Sequence, residues 1–498
     1  SFLPLPLPLL LLSLLGSIHA DLPYPPTATP LFEGYPYGVI WNMPTPVCKQ
    51  NNIPLDTSPF QVVTTPEAVT DQFLFLFYTN RLGLYPFVDE ATNKEINGGI
   101  PQKGNLTASL DIAQWDVAHY MPSETSPGLA VIDWEAWRPL WDRNWNSKTI
   151  YRTLSIDYAR QLDPSLSPSQ AEPVAKEQFQ TAARKFMEDT MSLGIDMRPN
   201  YLWGFYLFPE CYNDVWEEAD YTGMCPTWAQ AENDQLLWLW QTSTALYPSV
   251  YLQTSLANTH KAALYVRNQV HEAMRVASLP KHPFNVPIYV YTRPVFTNQA
   301  NKFLSLEDLV HTLGENAAVG ASGSVLWGGT TDFDDKASCE ALSSYLNSTL
   351  NPYIANVTAA SRLCSESLCQ GNGRCIRKDY NSDVYLHLNP ASFSVQKSNG
   401  KYVAVGIPTL SDLTYFSDHF TCQCYTGLSC SPRIASELPI EPVAIPHLLG
   451  VWSSDVVDDT CCVTIGCPAG VCLLINLEMH IVNSTLKALH RNASVWRH

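Results

Sequence analysis

The chain has 498 residues, 46% of them hydrophobic, enough for a large domain plus something smaller. Its formal net charge of −17 repels polyanions, which excludes nucleic acid as a partner. An acidic polysaccharide would need a local basic or hydrogen-bonding groove, or a compartment acidic enough to protonate carboxylates.

An apolar stretch from Leu7 to Leu15 ends at Ser17-Ile18-His19-Ala20 before Asp21. It reads as a secretory signal, residues 1–20, cleaved after Ala20 and truncated at its start. A membrane anchor is the weaker reading, because the run is short for a bilayer. The sequons at Asn105, Asn347, Asn356, Asn483 and Asn492, with 14 cysteines, agree with export to an oxidising compartment. The expected location is therefore the secretory pathway, ending outside the cell, in the lysosome or at the cell surface.

Short apolar runs follow at Tyr37–Asn42, Phe73–Tyr78, Leu129–Trp134, Leu202–Leu207, Ser249–Leu252, Pro287–Tyr291 and Ser324–Trp327. Several are continuously apolar, as in strands buried on both faces. Between them lie helical patterns. The clearest is Val174–Leu193, where Phe179, Ala182, Ala183, Phe186 and Met187 fall on one helical stripe. Strand and helix alternating in this way predict a distorted parallel (β/α) barrel over residues 21–355. A doubly wound open sheet is the alternative, and no GxGxxG turn follows the first strand to support it.

Cysteine spacing changes near residue 360. The order Cys364, Cys369, Cys375, then Cys422, Cys424 and Cys430 resembles an epidermal-growth-factor-like module, here residues 356–430 with a long insertion. That resemblance implies the pairs Cys364–Cys375, Cys369–Cys422 and Cys424–Cys430, although six cysteines allow fifteen connectivities. Upstream, Cys211 and Cys225 are close enough for a local loop, leaving Cys48 and Cys339 to tie the barrel's beginning to its end. Histidines at ligand spacing do not accompany these cysteines, so neither a metal nor a cofactor is expected. Residues 431–498 carry Cys461, Cys462, Cys467 and Cys472 and show no assignable pattern.

The segment most informative about chemistry is GLAVIDWEAWRP, Gly128–Pro139. If Leu129–Trp134 is a barrel strand, Asp133 and Glu135 emerge on one side of its C-terminal end, where barrel enzymes place their chemistry. Two carboxylates so close do not both ionise easily, so one pKa rises and a general acid results. A same-side pair is poorly placed to flank a sugar ring as separate acid and nucleophile. It suits a substrate-assisted reaction, with Glu135 as the proton donor and Asp133 orienting an acetamide that attacks its own anomeric carbon. A lone DxE more often caps a strand, and composition alone would place the neighbouring tyrosines in the core.

The same motif, with RLGLYP at Arg81–Pro86, NGGIPQ at Asn97–Gln102, LWGFYLFPECYN at Leu202–Asn213, NDQLLWLW at Asn233–Trp240 and ALYPSVY at Ala245–Tyr251, resembles the hyaluronidases, glycoside hydrolase family 56. The likeness runs from about residue 22 to 428. DLPYPPTATPLFEG and WGFYLFP resemble the type-two branch. The resemblance implies an endo-β-N-acetylhexosaminidase acting on hyaluronan or chondroitin, with Glu135 as acid/base and Asp133 its partner. It implies Tyr78, Tyr206, Tyr251 and Trp327 as the lining of the acetamido and sugar pocket, and a monomer. A binding protein or cell-surface receptor on the same scaffold is the competing reading.

Three departures stand out. Gln269 occupies a position where the family commonly has Arg, so a cation expected near the substrate carboxylate is missing and Gln269 is read as a substrate-binding position. Glu210 replaces an Asp, and the last module cysteine comes early, in CYTGLSC. The glycolipid-anchor signal of the type-two branch is not found in the tail, so membrane association is expected only of a form that carries one.

Overall fold

In the computed structural model, the structure describes residues 24–439. The signal reading, the four cysteines beyond 460 and the sequons at Asn483 and Asn492 lie outside them. Seven short parallel strands build the framework: β1 (Gly38–Asn42), β2 (Val62–Thr64), β3 (Leu74–Phe77), β4 (Gly128–Ile132), β5 (Tyr201–Phe205), β6 (Tyr289–Thr292) and β7 (Gly323–Trp327). They pair in the orders β2-β1-β7-β6 and β3-β4-β5.

The two sheets are joined through Leu246–Ser249, whose parallel bridges run from Tyr247 to Tyr206 on one side and from Leu246 and Ser249 to Ile288 and Tyr291 on the other. This stretch lies beside the segment read as a strand at Ser249–Leu252, and it forms isolated bridges rather than a ladder. Pro248, in its middle, has no N–H to give. Between β2 and β3 a side chain makes the link: Gln72 accepts from the Thr65 N–H at 2.7 Å and donates to the Thr65 carbonyl at 3.1 Å.

Side-chain alternation sorts the strand residues into two cores. Ile40, Leu74, Leu76, Leu129, Val131, Tyr289, Tyr291 and Val325 pack together inside the curved sheet. Their chain neighbours Val39, Trp41, Phe75, Phe77, Ala130, Ile132, Val290 and Leu326 pack in the larger cluster that includes the helices. Burial on both faces explains why the runs are continuously apolar. Helices α1 (Leu106–Tyr120), α2 (Thr149–Leu162), α3 (Pro168–Met197) and α4 (His260–Ala277) pack outside. The helix read over Val174–Leu193 is the middle of α3, which starts at a Ser167 capping box with Pro168 in its first turn and buries Phe179, Ala183, Phe186 and Met187.

Helix α5 (Asn351–Leu368) leads into the disulfide module, where β8 (Gly373–Arg377) and β9 (Phe420–Cys424) pair antiparallel. The disulfides are Cys48–Cys339, Cys211–Cys225, Cys364–Cys375, Cys369–Cys422 and Cys424–Cys430. The boundary placed at 355/356 falls inside α5, so barrel and module share a continuous helix. They also share a buried ion cluster. Glu315, fully enclosed, accepts from Arg267 of α4 at 2.7 Å, from Arg377 of β8 at 2.9 Å and from the Tyr385 hydroxyl at 2.8 Å.

Gly128 opens β4 where a Cβ would overlap the Phe73 carbonyl and the Tyr201 ring. Gly128→Ala is expected to lower stability by about 1–3 kcal/mol, the usual cost of overpacking a close backbone contact. Denaturant unfolding checks this, and an unchanged midpoint would show that β3, β4 and β5 are less tightly apposed.

Candidate active site

The strand register carries the chain past β4 without a break. The Asp133 N–H donates to the Phe77 carbonyl at 2.9 Å, and the Tyr206 N–H donates to the Ile132 carbonyl at 2.9 Å. Asp133 therefore continues the inward-facing row of Leu129 and Val131, and sits half-buried at the C-terminal mouth of the barrel. Glu135, two residues on, is exposed there. Burial pushes the Asp133 carboxyl well above the usual carboxylate range; the Glu135 charge and a hydrogen bond between the two side chains push the same way, and Arg138 opposes them weakly. The raised group is thus Asp133.

Aromatic residues wall the same mouth. Tyr78, Tyr206, Tyr251 and Trp327 all pack on the inner core. Trp327 donates its indole N–H to the Tyr78 hydroxyl at 3.2 Å, and its ring stacks on Tyr251 at 5.9 Å. Tyr206 donates to Ser249 at 3.2 Å and lies 6.3 Å from the Tyr251 ring. Burial pushes the Tyr78 phenol up to about 12 and raises Tyr206 and Tyr251 as well. All three stay protonated at physiological pH and can donate hydrogen bonds.

Gln269 is not at this mouth. It lies on α4, 4% exposed, donating to the Pro209 carbonyl at 2.6 Å and accepting from the Cys211 N–H at 3.1 Å. The substrate-contact reading is corrected on this ground: both polar ends of Gln269 are spent on the backbone either side of Glu210. The two departures from the family pattern therefore meet in one loop. Glu210 grips Arg138 with both oxygens, at 2.7 and 3.0 Å, and accepts from the Tyr212 hydroxyl at 2.6 Å. Burial pushes the Glu210 carboxyl up, but Arg138 and Tyr212 more than offset it and hold it below the usual range. Arg138 in turn donates to the Glu135 carbonyl at 2.9 Å, so this loop braces the turn that presents Glu135. Cys211–Cys225 closes the same loop.

Tyr291 and Arg293 are additions that the sequence reading did not supply. Tyr291 is 1% exposed, packs edge-on to Tyr206 at 5.0 Å, and its hydroxyl has no protein partner among the described residues. The Arg293 guanidinium lies over the rings of Trp327 and Tyr251, at 5.3 and 5.9 Å, and pairs with Asp332 at 2.6 Å. Both sit at the end of β6, and their position at a strand's C-terminal end was the available signal.

Of the sequons within the described residues, Asn105 and Asn347 are exposed and Asn356 is half-buried on α5. The Asn105 side-chain oxygen caps α1 by accepting from Ala108 N–H at 3.1 Å. Among the described residues no group of three or more His, Cys, Asp or Glu could hold a metal ion, and no helix is long and apolar enough to cross a membrane.

Paired carboxylates under an aromatic wall at the mouth of a parallel barrel define a glycosidase-type site. The hyaluronidase family model, glycoside hydrolase family 56, matches residues 26–434. Mouse hyaluronidase-5 is 48% identical over 411 residues, 82% of this chain and 77% of that protein. Human hyaluronidase PH-20 is 46% identical over 409 residues, 82% and 80% of the two chains. Bee venom hyaluronidase superposes with a TM-score of 0.56 at 29% identity, covering 64% of this chain and 99% of the other. A second bee venom structure, described as a complex with a hyaluronic acid tetramer, matches with a TM-score of 0.54. The chain belongs to the hyaluronidase family. The type-two likeness rests on its two motifs alone.

Gln269→Arg puts a cation where two backbone groups now find their partner. It is expected to cost roughly 1–3 kcal/mol of stability and to leave the salt dependence of substrate binding unchanged. A steeper salt dependence at unchanged melting temperature would restore the direct-contact reading.

Proposed function

We propose that this protein hydrolyses the β-N-acetylhexosaminide bonds of hyaluronan, and of chondroitin, by a retaining, substrate-assisted mechanism. One observation carries the reading: Asp133 and Glu135 leave the same strand end on the same side, under a wall of three tyrosines and a tryptophan. Two carboxylates that act as acid and nucleophile stand on opposite sides of the scissile bond, about 5–5.5 Å apart in retaining enzymes. A pair on one strand end leaves the nucleophile to the substrate.

In this mechanism the sugar stacks on Trp327, and the acetamido group enters the pocket lined by Tyr78, Tyr206 and Tyr251. Asp133 orients the acetamide through its N–H, and the carbonyl oxygen forms a bond to the anomeric carbon as the glycosidic bond breaks. Glu135, the exposed member, gives to the leaving oxygen the proton that it shares with Asp133 through their hydrogen bond, which leaves Asp133 ionised. Asp133 balances the charge of the cyclic oxazolinium ion, and the tyrosine hydroxyls hold its oxygen. The Glu135 carboxylate then takes a proton from water, which opens the ring and restores the starting configuration. The unspent Tyr291 hydroxyl, close enough to Asp133 for that charge to raise the phenol further, is available to steady the ionised carboxylate.

The location in the secretory pathway, outside the cell or in the lysosome, is part of this proposal. Five disulfides support it, since such bonds persist in oxidising compartments.

Glu135→Gln is expected to lower hyaluronan depolymerisation by several orders of magnitude while keeping polymer binding. Wild-type protein that binds the polymer and cleaves it at no pH would instead be a receptor on this scaffold. The raised Asp133 carboxyl sets a second expectation. A group whose pKa is higher folded than unfolded stabilises below its unfolded value, and that contribution is lost as pH rises through the folded value. Asp133→Asn should therefore lose activity but melt higher than wild type at pH 7, with the gain shrinking towards pH 4. A lower melting temperature at both values would show that the Asp133 charge is well satisfied.

A further inference from the structure

Between the loop that follows β4 and the loop that follows β5 lies a cavity of about 190 Å³, lined in part by Arg138, Arg143, Trp145, Lys148, Glu210 and Tyr212. It sits on the same face of the barrel as Glu135, and two of its cations hold the Glu135 carbonyl. Arg138 donates to that oxygen at 2.9 Å and Lys148 at 2.5 Å.

The charges around it do not cancel. Arg138 is matched by Glu210 at 2.7 Å and Arg143 by Glu232 at 2.7 Å, whereas Lys148 has no carboxylate partner among the described residues. Its amine meets two backbone carbonyls, of Glu135 and Ala136, and the Glu135, Glu210 and Glu90 carboxylates only at longer range. Burial, with Arg138 nearby, pulls the lysine pKa down against the three glutamates. A second donor is also unspent. Arg143 is 1% exposed, and its Nη1 has no hydrogen-bond partner. Trp145 and Tyr212 meet edge to face at 5.2 Å and give the cavity an aromatic side.

We propose that this cavity is a subsite for an anionic sugar of the polymer, with Lys148 binding the carboxylate of a hexuronate residue and Trp145 and Tyr212 flanking its ring. The proposal rests on the hydrolase reading for the path of the polymer over this face. It also answers how a chain of net charge −17 holds a polyanion: Lys148 is a cation of this cavity with no carboxylate in direct contact among the described residues, whereas Arg138 and Arg143 are paired. A uronate supplies one negative charge.

The test uses Glu135→Gln protein, which holds substrate without turnover, with and without Lys148→Met, and with Lys148→Arg as the charge-keeping control. Binding of a hyaluronan octasaccharide and of its carboxyl methyl ester is measured by titration calorimetry. The account predicts about tenfold weaker binding of the native oligosaccharide to the Lys148→Met form. It predicts little change for the ester and near-normal binding by Lys148→Arg. Equal weakening on both ligands would mean that Lys148 merely supports the Glu135 turn, and no weakening would mean that the carboxylate lies elsewhere; either result overturns the subsite. Failure of the hydrolase reading shows separately, as wild-type protein that cleaves no polymer while the lysine effect on binding persists.

Discussion

The structure depends on one forced burial. Strand alternation places Asp133 in the inward row begun by Leu129 and Val131, so a carboxylate ends the barrel's inner core and must share its surroundings with Glu135. An ionised pair there would be costly, and the pair is therefore poised to hold a proton. The aromatic wall follows from the same geometry. Tyr78, Tyr206 and Trp327 stand at or just beyond the ends of β3, β5 and β7, where the inner row reaches solvent.

A second layer keeps the acid in place. The turn after Asp133 is held by Arg138, which is held by Glu210, whose flanking backbone is held by Gln269 of α4. A buried ion pair of this kind adds little net stability, because desolvation takes back much of the attraction. Its contribution is geometric: removing either partner leaves a buried charge, so the turn has few alternatives. Position 269 thus reaches the chemistry through two intermediaries.

Much of this was legible in the sequence. Continuously apolar runs gave the strands because both of their faces are buried, and the two-residue spacing gave the shared side of Asp133 and Glu135. Leu246–Ser249 was harder to read, since Pro248 turns a strand position into isolated bridges. Gln269 was misread because its role was carried over from the Arg common at that position in the family, and a different side chain in so enclosed a helix, where Val266, Arg267, Asn268, Gln269 and Val270 are all buried, turns to the backbone beside it instead. The break at 355/356 was drawn from cysteine spacing, which is blind to a helix running straight through it. Tyr291 and Lys148 carry no motif of their own, and their interest comes from unspent hydrogen-bonding or charge that only three-dimensional neighbours reveal.

The central claim is that the anomeric carbon is inverted twice, the substrate's own acetamide attacking it before water does, and not once by water directly. Proton NMR of the reducing end in the first moments of hyaluronan cleavage tests it most directly. The account predicts the β-anomer first, with the α-anomer appearing only at the rate of mutarotation. Initial release of the α-anomer would mean a single inversion by water and would contradict it.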